Sequence, residues 1–481
     1  MLLSQLLEEI DYKSKNFIDL NVPKVTSNSK EISSGDLFVA INGVAVDGHK
    51  FIKSAIENGA AAIVYEQDFD CPSNVVAIKV KNSRLVYSRI CANLFKNPAQ
   101  RLTFIGITGT NGKTSTAYLT YHILKSCGYK VGLIGTVENI TGKGKTCAKF
   151  TTPDAMNMQK LLAEMVETDI EYVVMEVSSH ALSQDRVSDI SFEAAAFTNL
   201  TQDHLDYHHT MENYKNEKLK LMHKCKKAVV NLDDPVSNEF IDAVNGLVYT
   251  IGIKQDAYFK AEHIKPMSSK TRFTISSIEG VYNATIAIRG LFSVYNALTA
   301  IALSRCVDIP LKKAVKALSM ATGVSGRMEN FETGRDFNIV LDYAHTPDSL
   351  EKALTTLKEQ TDLARLIVVF GCGGDRDKDK RHIMGEIDIK NADYVIITSD
   401  NPRTENPEEI IEDIKKGIKT SKTPVEIIID RKTAIEHSIE IAKTNDVILL
   451  AGKGHETYQI LKDGKIHFDE REVLAEILKL N

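Results

Sequence analysis

Residues 106–116 read GITGTNGKTST and directly follow the apolar run LTFI at 102–105. A strand, a glycine-rich turn and a Lys-Thr pair at the start of a helix together form an arrangement that binds phosphate. Loop amides and the helix dipole face the anion, Lys113 adds positive charge, and Thr114 can bind a magnesium ion. The sequence therefore predicts a nucleotide-phosphate site at this loop.

The glycine spacing of this loop is unusual. The common pattern has its first glycine at the position that Ile107 occupies here. In this chain the glycines are Gly106, Gly109 and Gly112. The strand pattern before the loop and the helix pattern after it argue against a chance glycine turn, so we expect a variant phosphate loop.

Polar side chains also follow two further apolar strand patterns. VVMEVSSH places Glu176 near the end of one strand, and FTNLTQDHLDYH places His204 after another, with Asp203 and Asp206 beside it. Open parallel sheets bind ligands at the carboxyl ends of their strands, so these groups and the phosphate loop are expected to form one metal-phosphate site. Glu176 taken alone is equally compatible with a purely structural role.

The segment MENYKNEKLKLMHKC at 211–225 has the spacing of a helix. Three- and four-residue steps place Lys218 on the same face as Tyr214, Leu221 and Cys225, which predicts that Lys218 points inward. An ammonium group beside magnesium ions would be repelled, so an inward Lys218 would need another chemical form. The alternative is an inward stem whose charged tip reaches solvent.

The elements that position these residues suggest three domains. In the first part, LFVAI (37–41), AAAIVYE (60–66) and VVAIKV (75–80) read as strands, and a helix pattern follows at 82–95. From residue 101 onward, β-branched runs alternate with amphipathic segments, which is typical of a parallel α/β sheet, whereas 257–289 alternates like antiparallel strands.

A second series of strand and helix patterns begins near residue 330 and predicts a doubly wound unit. The expected fold class is therefore α/β with three domains: a small N-terminal α/β domain (1–98), a central P-loop ATPase-like domain with a parallel sheet plus a smaller antiparallel sheet (99–329), and a C-terminal Rossmann-like domain (330–481).

Composition limits the possible partners and location. The 481 residues have a formal net charge of −5 with both signs interspersed, so no basic stripe favours nucleic acid or a membrane surface. The seven cysteines are scattered without paired metal spacing, which suits reduced thiols. The N-terminal segment lacks the pattern of a secretory signal, and no apolar run approaches the roughly 18 residues that a membrane span needs. We expect a cytoplasmic monomer that binds small molecules.

The loop TGTNGKT resembles the ATP-binding loop of the Mur ligases and their folylpolyglutamate synthetase relatives, and the resemblance extends over essentially the whole chain. It implies an ATP-dependent amide ligase that activates a carboxylate as an acyl phosphate, which an amine then attacks. In that family the helix lysine is carbamylated, which implies that carbamylated Lys218 binds magnesium together with Thr114, Glu176 and His204. Lys113, Lys218, Glu176 and His204 are the implied catalytic residues.

The resemblance also implies a set of ATP contacts. Besides the loop, they come from GRMEN (326–330), DYAHTPDSLE (342–351) and the helix segment GLFSVYNAL. The family usually has asparagine where Ser293 stands, so a nucleotide contact through position 293 is open. The implied ATP-binding residues are Gly109, Thr110, Asn111, Gly112, Lys113, Thr114, Asn296, Arg327, Asp342 and His345.

Within the family the resemblance is closest to the enzymes that extend UDP-N-acetylmuramoyl-L-alanyl-D-glutamate. It is carried by residues 27–52, TTPDA (151–155) and EVSSHALSQDRV (176–187). It implies that Ser29 contacts the uridine nucleotide and that five further residues hold the substrate. These are Thr151, Thr152, Ser178, Gln184 and Arg186. Without the resemblance, TTPD is just as good a helix N-cap, with Asp154 in the first turn.

Three C-terminal strand ends suit an amine acceptor that carries both ammonium and carboxylate groups. They are FGCGGDRDKDKR (370–381), SDNPRTENP (399–407) and AGKGHE (451–456). The implied acceptor residues are Arg376, Asp400, Asn401, Pro402, Arg403, Gly452 and Glu456.

DNPR alone would be only a proline turn. In this family, however, it resembles the signature of enzymes that add meso-diaminopimelate, whose distal carboxylate Arg403 can pair with. The alternatives are a lysine-adding ligase, a folylpolyglutamate synthetase or, in a different class, a P-loop phosphotransferase or ATPase.

Overall fold

A computed structural model describes residues 1–43, 46–267, 270–360, 365–418 and 422–480. Two compact units can be distinguished. The first unit contains Met1–Gly106 and Lys130–Glu193, and the second contains Ile107–Tyr129 and Ala194–Asn481. The fold class is α/β, as predicted.

A five-stranded sheet lies in the N-terminal part of the first unit. The elements there are α1 (Leu3–Leu6), β1 (Lys13–Lys15), β2 (Val25–Thr26), β3 (Leu37–Val39), α2 (Ile52–Glu57), β4 (Ala62–Tyr65), β5 (Val76–Lys79) and α3 (Ser83–Leu94). The strand order is β1-β5-β4-β3-β2, and all neighbours are parallel except β1 and β5. Strands buried on both faces read as continuous apolar runs, and the three strands and the helix predicted here are confirmed.

The middle of the chain alternates strands and helices. Its elements are β6 (Thr103–Thr108), α4 (Lys113–Ser126), β7 (Val131–Ile134), β8 (Glu138–Thr141), β9 (Gly144–Cys147), α5 (Ala155–Glu167), β10 (Tyr172–Glu176), α6 (Ser179–Ser183), β11 (Phe192–Phe197), α7 (Leu205–His208), α8 (Met211–Met222), β12 (Cys225–Asn231), α9 (Ser237–Asp242), β13 (Leu247–Gly252), β14 (Phe259–Pro266), β15 (Thr271–Ser277), β16 (Gly280–Ile286), α10 (Leu291–Cys306) and α11 (Leu311–Leu318). Residues 103–106 of β6 belong to the first unit and residues 107–108 to the second.

Pairing within each unit follows the predicted change from parallel to antiparallel strands. In the first unit β10 runs parallel to β7, and β7, β8 and β9 form an antiparallel meander. In the second unit β12, β13 and β14 are parallel neighbours, and β14, β15 and β16 are antiparallel. The antiparallel strands predicted within 257–289 are thus confirmed for the residues described.

One predicted helix end is wrong. The pattern placed Cys225 on the inward face of a helix, but α8 ends at Met222 and Cys225 begins β12. Met222 and Cys225 are both buried, and a periodic apolar pattern does not distinguish the end of a buried helix from the start of a buried strand. The start of α8 is set by Thr210, whose hydroxyl accepts from the Asn213 amide.

The C-terminal part is a six-stranded sheet with a separate hairpin. Its elements are β17 (Glu329–Phe331), β18 (Asn338–Asp342), α12 (Pro347–Gln360), β19 (Leu366–Phe370), α13 (Asp379–Asn391), β20 (Tyr394–Ile397), α14 (Pro407–Lys415), β21 (Val425–Ile427), α15 (Arg431–Glu440), β22 (Val447–Ala451), β23 (Tyr458–Leu461), β24 (Gly464–His467) and α16 (Glu470–Leu478). The order is β17-β18-β22-β19-β20-β21, parallel throughout except for β17. The strands β23 and β24 pair only with each other.

Helices cover both faces of this sheet. Residues from α12, α13 and α14 pack with Val340 and Val368 in one apolar core. Residues from α15 and α16 pack with Leu341 and Val369 in another. Adjacent strand residues therefore face opposite cores, as expected of a doubly wound sheet. Within the described ranges, none of the helices has the length and apolar content that a membrane span requires.

Candidate active site

The phosphate loop is shaped by two glycines with positive φ, Gly109 at 145° and Gly112 at 86°. A Cβ atom at Gly109 would lie 1.9 Å from Thr198 Oγ1, and one at Gly112 would lie 2.4 Å from Asn296 Oδ1. Gly112 immediately precedes α4, so the loop ends at a helix N-terminus whose amides and dipole favour an anion. The variant loop thus has the backbone arrangement that phosphate binding requires.

The segment that follows β11 holds the loop in this conformation. The amide of Thr110 donates to the Asn199 carbonyl at 2.8 Å, and the amide of Asn111 donates to Asn199 Oδ1 at 3.0 Å. The hydroxyl of Thr198 donates to the Asn111 carbonyl at 2.7 Å. Thr110 and Thr201 exchange two further hydrogen bonds of 3.0 Å each. The sequence did not indicate these supports, because they join positions far apart in the chain.

Two lysines converge on one loop carbonyl. Lys113 Nζ donates to the carbonyls of Gly109 and Thr110 at 2.9 and 2.8 Å. Lys218 Nζ donates to the same Gly109 carbonyl at 2.8 Å and lies 4.2 Å from the centroid of the Tyr214 ring. The Lys218 side chain is only 1% exposed, so its inward direction is confirmed and its tip does not reach solvent.

The surroundings of Lys218 disfavour its charged form. Burial lowers the pKa of Lys218 well below its usual value, and the positive charge of Lys113 lowers it further. The carboxylate of Asp203 opposes this shift only in part. The amine at this position is therefore biased towards the neutral form, which is the nucleophilic one.

Asp203 and His204 form an ion pair beside the loop. Asp203 Oδ2 lies 3.3 Å from His204 Nε2, and Asp203 Oδ1 accepts from the His204 amide at 3.0 Å. Burial raises the pKa of Asp203, but His204 and then Lys380 outweigh it and lower the pKa to about 2. Asp203 therefore carries a negative charge at neutral pH. The sequence had singled out His204, with Asp203 only as its neighbour.

The segments GRMEN and DYAHTPDSLE, which were expected to contact ATP, reach the loop within the second unit. Arg327 Nη2 donates to Thr114 Oγ1 at 3.1 Å, and its guanidinium lies 4.8 Å from the centroid of the Tyr343 ring. Asp342 Oδ2 accepts from the Met328 amide at 2.6 Å, and burial raises the pKa of Asp342. GRMEN and DYAHTPDSLE are thus brought together and joined to the start of α4.

A further link joins the loop to α12. Asn111 Nδ2 donates to Asp348 Oδ2 at 2.6 Å. Nearby, Lys380 Nζ donates to the His345 carbonyl at 2.9 Å. Burial and the charge of Lys380 lower the pKa of His345 to about 4, so this imidazole is neutral at physiological pH.

The two α10 positions named from the sequence differ in what they contact. Asn296 Oδ1 accepts from Thr116 Oγ1 at 3.4 Å and lies beside Gly112 in the loop. Ser293 donates instead to the Gly290 and Ile288 carbonyls at 2.5 and 3.2 Å. The Ser293 hydroxyl is therefore engaged at the start of its own helix rather than at the loop.

Glu176 lies in the first unit at the end of β10, as the sequence predicted. It is fully buried, and its two oxygens accept from the Thr136 amide at 2.8 Å and the Thr136 hydroxyl at 3.0 Å. Thr136 Oγ1 also lies 3.1 Å from Thr151 Oγ1. A Cβ atom at Gly135 would lie 2.6 Å from Glu176 Oε1, so the backbone approaches this carboxylate closely.

Four of the residues predicted for the UDP substrate form a cluster beside Glu176 in the same unit. They are Thr152, Ser178, Gln184 and Arg186. Thr152 Oγ1 donates to the Glu176 carbonyl at 2.8 Å and accepts from the Ser178 amide at 3.0 Å. Arg186 Nη1 donates to the Thr152 carbonyl at 2.8 Å, and Arg186 Nη2 donates to Gln184 Oε1 at 2.6 Å. Hydroxyl, amide and guanidinium groups of this kind suit a phosphorylated, acidic ligand.

The TTPD segment and Ser29 were also singled out from the sequence. The N-cap interpretation of TTPD is confirmed, although Asp154 is itself the cap rather than a first-turn residue, because it accepts from the Asn157 amide at 2.9 Å. Ser29 lies beside the N-terminal sheet, where it is buried and its carbonyl accepts from Asn58 Nδ2 at 3.1 Å.

The predicted acceptor residues converge at the C-terminal sheet. Asn401 Nδ2 donates to Glu456 Oε2 at 2.8 Å, and Lys453 Nζ lies 3.3 Å from Asp400 Oδ1 and 3.4 Å from Glu456 Oε2. A Cβ atom at Gly452 would lie 3.7 Å from Asp400 Oδ2. Lys453 is fully buried at the centre of this group. The sequence motif AGKGHE contained this lysine, but nothing in its spacing assigned it a role.

Two predicted acceptor arginines lie near this group, on either side of Gly373 and in contact with it. A Cβ atom at Gly373 would lie 2.9 Å from Arg403 Nη1 and 3.7 Å from Arg376 Cγ, so both arginines flank this glycine. Arg403 Nη1 donates to the Gly374 carbonyl at 2.7 Å. Pro402 directly precedes Arg403, whose φ is 54°. Burial lowers the pKa of Arg403 and the charge of Arg376 lowers it further, whereas Asp400 and Glu456 oppose this shift.

No cluster of three or more His, Cys, Asp or Glu side chains suited to a metal ion occurs in the described part of the chain. Magnesium usually keeps few protein ligands and completes its shell with water and substrate phosphates.

Comparisons with known proteins match three successive parts of the chain. Residues 21–109 match the model of the Mur ligase family, catalytic domain; residues 107–304 match the Mur ligase middle domain; and residues 326–454 match the Mur ligase, glutamate ligase domain.

A relative from Caldanaerobacter subterraneus subsp. tengcongensis is named UDP-N-acetylmuramoyl-L-alanyl-D-glutamate--2,6-diaminopimelate ligase. It is 46% identical over 479 residues, which cover 99% of each chain. A solved structure with the same enzyme name has a TM-score of 0.67 at 30% identity and covers 96% of this chain and 97% of its own. The MurF ligase of Thermotoga maritima in complex with ADP has a similar fold, with a TM-score of 0.61 at 20% identity and coverage of 96% and 98%.

Replacing Gly109 with alanine should weaken ATP binding. The new Cβ would clash with Thr198 at a φ that side chains rarely adopt, and strain of about 1–3 kcal/mol corresponds to roughly ten- to hundredfold in affinity. Titration calorimetry with ATP and magnesium measures this change. Gly323→Ala is the matched control, because a Cβ there meets only the Ala287 carbonyl at 3.9 Å. Equal affinity of both variants would contradict the role of the loop.

Proposed function

The chain belongs to the Mur ligase family, and from this premise we propose that it adds meso-2,6-diaminopimelate to the D-glutamate γ-carboxylate of UDP-N-acetylmuramoyl-L-alanyl-D-glutamate. As a member of that family it is an ATP-dependent ligase. The observation that carries the proposal is the presence, in one unit, of a phosphate loop and of a second group of carboxylate, ammonium and guanidinium side chains at the C-terminal sheet. A phosphotransferase or ATPase switch would need no such second group.

The proposed reaction has two steps. A D-glutamate carboxylate oxygen attacks the γ-phosphorus of ATP, which forms an acyl phosphate and releases ADP. The neutral amine of the acceptor then attacks the acyl carbon, the new C–N bond forms as the C–O bond to phosphate breaks, and phosphate leaves while the amine loses a proton. No protein side chain is a nucleophile, so the protein acts by positioning and charge neutralisation.

We assign the ATP phosphates to the loop amides, Lys113 and Thr114, with Arg327 beside them. The hydrogen bond from Arg327 to Thr114 supports this assignment, since it places a guanidinium at the start of α4. Asn296 supports the loop through its approach to Gly112. The full proposed set is Gly109, Thr110, Asn111, Gly112, Lys113, Thr114, Asn296, Arg327, Asp342 and His345.

For magnesium we propose Thr114, Glu176, His204 and a carbamate on Lys218 as ligands. Three of the four donors fit, since hydroxyl, carboxylate and carbamate oxygens are hard ligands that magnesium prefers, and the fourth, His204, offers an imidazole nitrogen. Bound magnesium would neutralise negative charge on the transferred phosphoryl group. The neutral-biased amine of Lys218 supports the carbamate, because the lone pair of a neutral amine can attack carbon dioxide.

We assign the UDP substrate to Ser29 and to the cluster around Thr152, and the acceptor to the C-terminal pocket. Arg403 would pair with the distal carboxylate of diaminopimelate, a group that lysine lacks. The substrate set is Ser29, Thr151, Thr152, Ser178, Gln184 and Arg186. The acceptor set is Arg376, Asp400, Asn401, Pro402, Arg403, Gly452 and Glu456.

The three-domain division into 1–98, 99–329 and 330–481 is part of this proposal and is supported by the three successive family matches. We also propose that the enzyme acts in the cytoplasm as a monomer. All seven cysteines are free thiols, which suits a reducing compartment.

The purified protein should release phosphate only when ATP, magnesium, UDP-N-acetylmuramoyl-L-alanyl-D-glutamate and meso-diaminopimelate are all present. Mass spectrometry of the product should show the nucleotide substrate joined to diaminopimelate by one amide bond. L-Lysine at equal concentration is the matched comparison. A preference for lysine would keep the ligase and reject the acceptor assignment, whereas amine-independent ATP turnover would favour a phosphotransferase or ATPase.

Arg403→Ala should selectively damage the use of diaminopimelate. Loss of one or two charge-assisted hydrogen bonds, each about 1.5–3 kcal/mol, lowers kcat/KM for diaminopimelate about tenfold to several hundredfold or more. The low activity with L-lysine should change little. Arg335→Ala, at an exposed arginine of the same part of the chain, is the control. An equal loss with both amines would remove Arg403 as the selectivity residue.

A carbamate on Lys218 predicts a labelled carbonyl signal when the active enzyme is incubated with carbon-13 bicarbonate. NMR should detect this signal in the wild type and in Lys220→Met, whose side chain lies on the same helix and is 47% exposed. Lys218→Met should lose both the signal and the ligase activity. An active wild-type enzyme without the signal at saturating bicarbonate would refute the carbamate.

A further inference from the structure

We propose that Lys453 is a positioning residue for the amine acceptor. Its buried ammonium holds together the acceptor loop (residues 400–403), the carboxylate of Glu456 and the acceptor hairpin (β23 and β24). The inference rests on the proposed function, since it concerns the same pocket, but it assigns a task to residues outside the acceptor set.

The contacts of Lys453 converge from three directions. Its side chain has no solvent exposure. Nζ donates to the Tyr458 carbonyl at 2.8 Å and to Asn401 Oδ1 at 3.2 Å. It also lies 3.3 Å from Asp400 Oδ1 and 3.4 Å from Glu456 Oε2. One ammonium thus joins the acceptor loop, the segment after β22 and the first residue of the hairpin.

The hairpin completes this arrangement by bonding along the acceptor loop. Gln459 Nε2 donates to the Asp400 carbonyl at 2.6 Å, and the Ile460 amide donates to Asn401 Oδ1 at 2.9 Å. The Arg403 amide donates back to the Ile460 carbonyl at 3.1 Å. These bonds fix a loop in which Arg403 has a left-handed backbone, with φ of 54°.

The negative charges of two neighbouring carboxylates explain why a lysine is needed at position 453. Two buried carboxylates, Asp400 and Glu456, raise each other's pKa unless a cation lies between them. Burial raises the pKa of Asp400, but Lys453 and then Arg431 lower it below its usual value. Arg431 is already paired with Glu470 at 2.8 Å, so Lys453 is the cation in direct contact with both acceptor carboxylates among the residues described.

The remaining groups around the pocket do not replace Lys453. Arg403 interacts with Asp400 and Glu456 at longer range, but its guanidinium donates to the Gly374 carbonyl. Burial raises the pKa of the Tyr343 phenol, so this group is neutral near pH 7. Burial and Asp400 raise the pKa of Glu456, and the charge of Lys453 opposes this rise. Lys453 therefore favours the charged forms of both carboxylates that would face an incoming ammonium group.

Lys453→Met tests this inference by removing the charge while keeping an unbranched stem. We expect the KM for diaminopimelate to rise on the order of ten- to hundredfold, because misplaced acceptor groups cost that much even when they do not react. The KM values for ATP and for the UDP substrate should stay within about twofold, because none of the contacts described for Lys453 involves a residue assigned to either substrate. Lys462→Met is the matched control, with the same substitution at an exposed position of the hairpin.

A second variant applies if Lys453→Met does not fold. Gln459→Leu removes one hydrogen bond to the acceptor loop and leaves the ammonium in place. We expect it to raise the KM for diaminopimelate about two- to tenfold, in line with the loss of one neutral hydrogen bond. An unchanged KM for diaminopimelate would overturn the inference, whether it is found in folded Lys453→Met or in Gln459→Leu. A parallel rise of the KM values for all three substrates would overturn it as well.

The wild-type enzyme separates this inference from the proposed function. Without diaminopimelate-dependent turnover in the wild type, the proposed function itself fails. With such turnover, the ratio of acceptor KM values between each variant and Lys462→Met decides the role of Lys453 alone.

Discussion

The carbonyl oxygen of Gly109 accepts hydrogen bonds from two lysines, and the electrostatics of the phosphate site depend on this shared contact. One lysine belongs to the helix that the loop begins, and the other to the buried face of α8. Two positively charged amines bound to one oxygen would repel each other, so either one amine is neutral or an anion binds beside them. The glycine is essential, since any side chain there would meet Thr198.

At the proposed acceptor site, the charges that lie close together are negative. Buried carboxylates are gathered there around the ammonium of Lys453, and two arginines flank Gly373. Neighbouring groups of opposite charge suit a ligand that is itself zwitterionic, because each charged group of the ligand finds its complement. Catalysis by positioning requires both sites to be rigid, and each is supported by hydrogen bonds from segments distant in sequence.

Much of this could be predicted from the sequence because burial leaves periodic patterns. Apolar runs identified the parallel strands, and the spacing of Tyr214, Lys218 and Leu221 gave the inward direction of the lysine. The strand-end rule placed Glu176 correctly. The sequence did not predict the role of Lys453 or the hydrogen bonds between residues 198–201 and the phosphate loop, because the partners in both cases are set by tertiary folding and not by local spacing. The end of α8 was misplaced because a buried strand follows it almost at once.

The acceptor hairpin has a consequence for how such enzymes can be recombined. The matched glutamate ligase domain ends at residue 454, whereas the hairpin that bonds to the acceptor loop begins at Tyr458. A chimera joined at the end of the matched region would combine the loop of one parent with the hairpin of another. With the acceptor assignment proposed above, acceptor specificity would be inherited as a unit that extends past the matched domain, and exchanges between relatives should carry the hairpin with it.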